Sequence, residues 1–245
     1  MDIDFNRQPK NTKIFEFHLP RNTSGENEEI IRNAIWRQIV MGQVDGERFR
    51  VAVVDAFEER EIFFPFDLDN AAQAGADLLG ERRYQQSALP EQPKTYLQKA
   101  FVDLNKNHQV IAVQNFTCCD HCGHAEIRNL IDEYVAKFGA KPIGYVFFHQ
   151  QDVENIIDNK TTHLSYGAFT PIPGHEELSQ EEANLWILNE VVLPVLQQYG
   201  ISATWDGSPL SRPELHNVNY VYYVPTGVSS DDLRQPGTLS PQIWP

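Results

Sequence analysis

The sequence predicts an α+β protein: a ferredoxin-like βαββαβ antiparallel sheet with an extra strand, preceded by a smaller α/β N-terminal region. Two observations carry this. Short apolar runs alternate with amphipathic stretches from Gln109 onward, and a proline-bearing segment, Ser87 to Lys94, separates that pattern from what precedes it. Two domains are therefore expected, residues 1–90 and 91–245, a division that suits the length.

In the N-terminal region, Thr12 to Leu19 (TKIFEFHL) reads as a strand. Ser24 is placed to cap a helix over Glu26 to Met41, whose isoleucines at 31, 35 and 39 recur at helical spacing and which ends at Gly42. RFRVAVVDAF and EIFFPF read as a hairpin, and an alanine-rich helix starts near Asp69.

Beyond the linker, Leu97, Ala100, Phe101 and Leu104 mark a helix, and Gln109 to Gln114 a strand. A second helix carries Ile127, Leu130, Ile131, Tyr134, Val135 and Phe138 and stops at Gly139. Ile143 to Phe148 is a strand, Asp152 to Asp158 one or two helical turns, and His163 to Phe169 a third strand. Ser179 and Glu182 form a capping box for a helix that Pro194 should kink. Strands Ile201 to Trp205 and Val218 to Val224 flank the turn signal Asp206-Gly207, and the tail from Pro225 reads as irregular. In this order the first two strands run parallel with the third between them, and one face of the sheet takes both long helices.

The net charge is −14, and from Pro142 onward 3 basic residues face 12 acidic ones. A phosphate backbone needs a basic face, so nucleic acid and anionic membrane are disfavoured as partners. A basic protein or an unidentified small molecule fits better. The opening residues MDIDFNRQPKNTK hold no apolar stretch and no run is long enough for a membrane helix, so a cytoplasmic setting is expected.

All three cysteines, Cys118, Cys119 and Cys122, fall within five positions. An odd, crowded set is a poor disulfide framework but a good source of soft thiolates for zinc, at the start of a helix. Cys118, Cys119, Cys122 and His149 are the expected zinc ligands, with His121 and His124 as substitutes for the histidine. His149 with Asp152 is the candidate catalytic acid–base pair. A thioredoxin-like reading competes, because strand, Cys-x-x-Cys and helix follow one another here. A zinc-assisted hydrolase and an acidic interaction module are the further alternatives. Buried, inert thiols and, for Asp152, a plain helix cap are the bland accounts. His124-Ala125-Glu126 matches the His-x-Glu of zinc deaminases, but those need a Cys-x-x-Cys downstream, where none follows.

Four segments in order, AFxxL…QNFTCCDHCGHAEI, GYVFFHQQD, LSYGAF and ATWDGS, resemble an uncharacterised bacterial family, a domain of unknown function. The resemblance runs from about Thr95 to Val224. It implies a cytoplasmic bacterial protein and marks the cysteine and His149-Gln150-Gln151-Asp152 segments as hallmarks, without supplying a reaction.

Overall fold

The structure, a computed structural model, describes residues 6–89, 92–235 and 243–245. It is a mixed α+β protein that divides into two compact units. The first comprises the described parts of Met1–Pro93 and Val221–Pro241; the second comprises those of Lys94–Tyr220 and Gln242–Pro245. Residues 90 and 91 of the expected linker lie outside the described residues, as do 236–242 of the tail.

The first unit is helical. Helix α1 (Gly25–Val40) begins where the Ser24 hydroxyl accepts the Asn27 N–H, and it buries Ile31, Ile35 and Ile39. Helix α2 (Gly46–Glu58) replaces the expected hairpin. Asp45 accepts the N–H groups of Glu47 and Arg48, and Phe49, Val53 and Phe57 recur every four residues on one buried face. Local β propensity in RFRVAVV loses to that periodicity and cap. The second half of the expected hairpin folds back instead, Phe64 stacking on Phe57 at 4.2 Å.

Helix α3 (Leu68–Ser87) packs against α2 so closely that a Cβ on Gly75 would meet the Phe49 ring at 2.4 Å. The expected strand Thr12 to Leu19 is instead coil with a 3-10 turn, Glu16–His18. The Phe15 N–H and the His18 Nδ1 both reach Asp77 of α3, at 3.0 and 2.7 Å, which leaves no ladder partner for the segment. The tail is not wholly irregular, since Ser230–Leu233 forms a helical turn capped by Ser229.

In the second unit, β1 (Val110–Val113), β2 (Gly144–Phe147), β3 (Thr161–His163), β4 (Ser165–Ala168), β5 (Ser202–Thr204) and β6 (Glu214–His216) form two three-stranded sheets. Their orders are β1-β2-β4 and β3-β6-β5. This corrects the ferredoxin-like expectation. β1 and β2 are parallel and directly paired, Val110 opposite Gly144 and Val113 opposite Phe147, with no strand between them. The expected third strand splits at Leu164, so β3 joins one sheet and β4 the other. Val218 to Val224 forms no ladder, and β5 pairs with β6 instead.

Around the strands lie α4 (Tyr96–Asn107), α5 (Asp120–Glu126), α6 (Ile131–Phe138), α7 (Gln150–Asn159), α8 (Gln180–Trp186) and α9 (Leu193–Gln198). The long helices take opposite faces of the β1-β2-β4 sheet, where a single covered face was expected. Ile127 and Tyr134 cluster with Ile111, Val113 and Phe147 on one side. On the other, a Cβ on Gly144 would meet Ile187 at 2.9 Å. Residues 144 and 147 point to opposite sides because strand side chains alternate. VIAV and GYVF lack a polar face for the same reason: both sides of that sheet are covered.

Two details complete this unit. The free edge of β1 is closed by the Asn105 amide, which donates to the Ala112 carbonyl and accepts its N–H. Before Pro194 the helix widens to a π turn, Ile187–Val192, where the Leu193 N–H reaches back five residues to Leu188. Proline removes an N–H from the ladder, and the widened turn accommodates that loss.

Candidate metal centre

Parallel pairing of β1 and β2 brings the loops after them side by side. The Phe116 N–H donates to the Phe148 carbonyl at 3.0 Å, and the Gln150 N–H to the Thr117 carbonyl at 3.1 Å. β4 runs antiparallel to β2, so its first residue, Ser165, lies opposite Phe147 at the same sheet end. The cysteine segment, His149 and Ser165 are thereby gathered by topology across up to 47 positions of sequence (165 minus 118).

The chain enters the cysteines through two non-glycine residues in the left-handed region, Asn115 at φ 51° and Thr117 at φ 55°. For β-branched threonine this conformation is strained, and such residues persist where surrounding structure fixes them. The Thr117 hydroxyl contacts the carbonyls of Phe116 (2.7 Å) and Cys119 (3.1 Å), which anchors the turn. Cys118 is exposed, Cys119 is the N-cap of α5, and Cys122 sits in the first helical turn. Gly123 permits the helix to lie close on β2, since any Cβ there would strike the Phe147 ring at 2.3 Å.

The three sulfurs converge. Cys118 Sγ is 3.5 Å from Cys122 Sγ and 3.7 Å from Cys119 Sγ, and all three lie within 4.8 Å of one another. The crowding splits their acidities. The Cys122 backbone N–H, aimed at the Cys119 sulfur, holds that thiol below its ordinary value. Hydrogen bonding and like-charge repulsion from Cys118 and Cys119 push the Cys122 thiol up to about 12. Three sulfurs this close do not all ionise without a cation between them.

A polar network adjoins the sulfurs. Asp120, directly after Cys119, accepts a short hydrogen bond from the buried Ser165 hydroxyl. Its Oδ1 also lies 3.4 Å from His124 Nε2 and 3.7 Å from Arg212 Nε. His124 Nδ1 meets the Tyr145 hydroxyl at 2.8 Å, whereas His121 is exposed. Arg212 joins the loops: Nη2 donates to Asp152 Oδ2 at 2.6 Å and to the His163 carbonyl at 2.7 Å.

His149 and Asp152 are both buried, with Nε2 to Oδ2 at 3.2 Å, and the His149 N–H donates to Asp152 Oδ2 at 3.1 Å. Burial holds the His149 imidazole below its ordinary value and Arg212 adds to this, while Asp152 opposes it.

Among the described residues the clustered ligand atoms are the three sulfurs alone, so His149, expected as a fourth ligand, does not join them. His149 Nε2 instead meets Arg212 Nη1 and Asp152 Oδ2, each at 3.2 Å. None of Arg212, Asp120 and Ser165 was expected as a site residue from the sequence. One signal was present: Arg212 is one of three basic residues after Pro142.

No helix among the described residues is long and apolar enough to cross a membrane. No curated protein and no solved structure matches the chain. A family model, Domain of unknown function (DUF6891), matches residues 24–221. The chain belongs to that family.

Proposed function

We propose that this protein binds one zinc ion through Cys118, Cys119 and Cys122. The observation that carries the reading is the sulfur geometry. Zinc–sulfur bonds of about 2.3 Å at tetrahedral angles separate thiolates by about 3.8 Å. The separations of 3.5 and 3.7 Å in this chain are close to that value. The repulsion that keeps Cys122 protonated is relieved by a dication, which favours occupancy. Reduced thiols so close together suit a reducing compartment, and the bacterial cytoplasm is the setting this reading takes. Three protein donors leave the fourth position of the ion for a small-molecule ligand or water, beside Asp120 and Arg212.

The test is elemental analysis of protein purified without an affinity metal, together with alkylation of the thiols. About one equivalent of zinc per chain is expected, lost in Cys122→Ser. A metal-free protein whose thiols added zinc does not protect from alkylation would overturn the reading.

A second reading, zinc-assisted hydrolysis, is favoured by one observation: a neutral imidazole, His149, held by a buried carboxylate, Asp152. In that pairing Asp152 orients the ring through Nε2, and the buried Nδ1, which has no partner, is the nitrogen that would take up a proton.

A further inference from the structure

We infer that the cysteine cluster is also a modification site for peroxide, at which Cys118 and Cys122 close into a disulfide and Cys119 remains a thiol. The closure itself stands on the placement and exposure of the sulfurs and needs no metal. Its consequence, release of the metal, rests on the zinc reading above.

Cys118 Sγ lies 3.5 Å from Cys122 Sγ, against 3.7 Å from Cys119 Sγ. A disulfide bond is about 2.05 Å long, so the pair must approach by about 1.5 Å. The Cys118 side chain supplies that movement. It precedes the helix N-cap, belongs to no helix or strand, and is exposed to solvent where an oxidant arrives. Cys122 is fixed in the first turn of α5. The alternative vicinal bond, Cys118 to Cys119, is disfavoured because adjacent Cα atoms lie about 3.8 Å apart, below the usual disulfide range. Cys119 is held at the helix start as N-cap, with the Cys122 N–H directed at its sulfur.

The chemistry balances with hydrogen peroxide as the named oxidant. The Cys118 sulfur attacks one peroxide oxygen, the O–O bond breaks, and the departing hydroxide leaves as water with the Cys118 proton, giving a sulfenic acid. The Cys122 sulfur then attacks the Cys118 sulfur, and the S–O bond breaks. The hydroxyl leaves with the Cys122 proton as water. Two thiols are oxidised by two electrons, and one peroxide becomes two waters. Since metal binding requires thiolates, the closed pair removes two of three donors and the ion departs.

The test begins with reduced, chelator-treated full-length protein exposed to stoichiometric hydrogen peroxide, so its outcome does not depend on zinc. Intact mass is expected to fall by two hydrogens, with one alkylatable thiol remaining. Peptide mapping is expected to place the bond between Cys118 and Cys122 and the thiol at Cys119, and dithiothreitol should restore all three thiols. The Cys119→Ser variant should still close the bond. Cys122→Ser should accumulate a sulfenic acid at Cys118 that dimedone traps. A bond involving Cys119, a bond between chains, or only over-oxidised sulfur would overturn the assignment, and the wild-type map decides even where a variant fails to fold. On zinc-loaded protein, about one equivalent should appear in solution as the bond forms. Full retention of zinc after closure would refute the gating. Failure to load zinc at all counts against the metal reading and leaves the disulfide map to stand by itself.

Discussion

Replacing Gly123 with alanine sets two known effects against each other, and the structure says which wins. An alanine in a helix is favoured over glycine by about 1 kcal/mol. At this position, however, the new Cβ would lie 2.3 Å from two atoms of the Phe147 ring, where ordinary contact begins at 3.4 Å. Helix or ring must therefore give by about 1.1 Å, the difference of those two distances. The ring has little room, being fully buried beside Phe116, His124 and Tyr145. Overpacking of this kind costs about 1–3 kcal/mol, and so large a displacement belongs at the upper end. The net expectation is a loss of about 2 kcal/mol. Moving the start of α5 also separates Cys122 from Cys118, so zinc affinity should fall as well. Hydrogen exchange of the β1 and β2 amides reports the second unit alone, and protection should drop roughly 30-fold. Gly80→Ala in α3 of the first unit is the control, read by exchange of the α3 amides, since nothing lies within 4 Å of its new Cβ, and a gain of about 0.5–1 kcal/mol is expected there. Unchanged or increased protection in Gly123→Ala would refute the packing argument.

Arg212→Ala strips the buried Asp152 of its cation and should cost about 3 kcal/mol in urea denaturation. The double variant Asp152→Leu/Arg212→Met should cost less than that single change, because no buried charge is left alone. His149 titrates below its ordinary 6.5 in the folded chain, so between the two values the unfolded chain binds more protons. Its contribution to stability is complete above about pH 6.5 and declines as pH falls through that value towards the folded one; His149→Gln should show a shallower decline in urea midpoint between pH 8 and 5. Tyr134 donates to the Asn105 carbonyl at 2.5 Å, and burial pushes its phenol up to about 12. Tyr134→Phe should lose about 1 kcal/mol of stability and one of the phenol steps that come near pH 12 in an ultraviolet titration, Tyr222 supplying another.

Caps and stops were legible in the sequence because they act within one turn. Ser24 and Ser179 start helices, and Gly139, at φ 75°, ends α6. Competing local signals misled where tertiary packing decided. RFRVAVVDAF carries β-prone residues, yet the four-residue spacing of its buried side chains and the Asp45 cap make it helical. HLSYGAF reads as one strand, yet Leu164, fully buried with its N–H donating to the Pro213 carbonyl, divides it between two sheets. No local pattern announces that division, since the Pro213 partner is 49 positions away. At the site, the clustered cysteines and the His149–Asp152 pair were visible as residue types. Arg212 was not, because its meaning lies wholly in the loops it joins.

The corrected topology bears directly on the site. With a strand between β1 and β2, the loops after them would stand about 10 Å apart, two strand spacings. Direct pairing halves that gap, and the backbone bonds from Phe116 to Phe148 and from Gln150 to Thr117 follow from it. Ligands of α/β proteins gather beyond the carboxyl ends of parallel strands because loops converge there. β1 and β2 supply one such end, with the cysteines after the first and His149 after the second. Proximity alone would favour His149 as a zinc donor. The Arg212 guanidinium, however, already contacts His149 and ion-pairs with the buried Asp152. The site therefore holds two separate charge centres. One is a cluster of three sulfurs that could hold a metal ion, and the other is a carboxylate paired with arginine. Asp120 lies between them, 3.7 Å from Arg212 and one residue from Cys119.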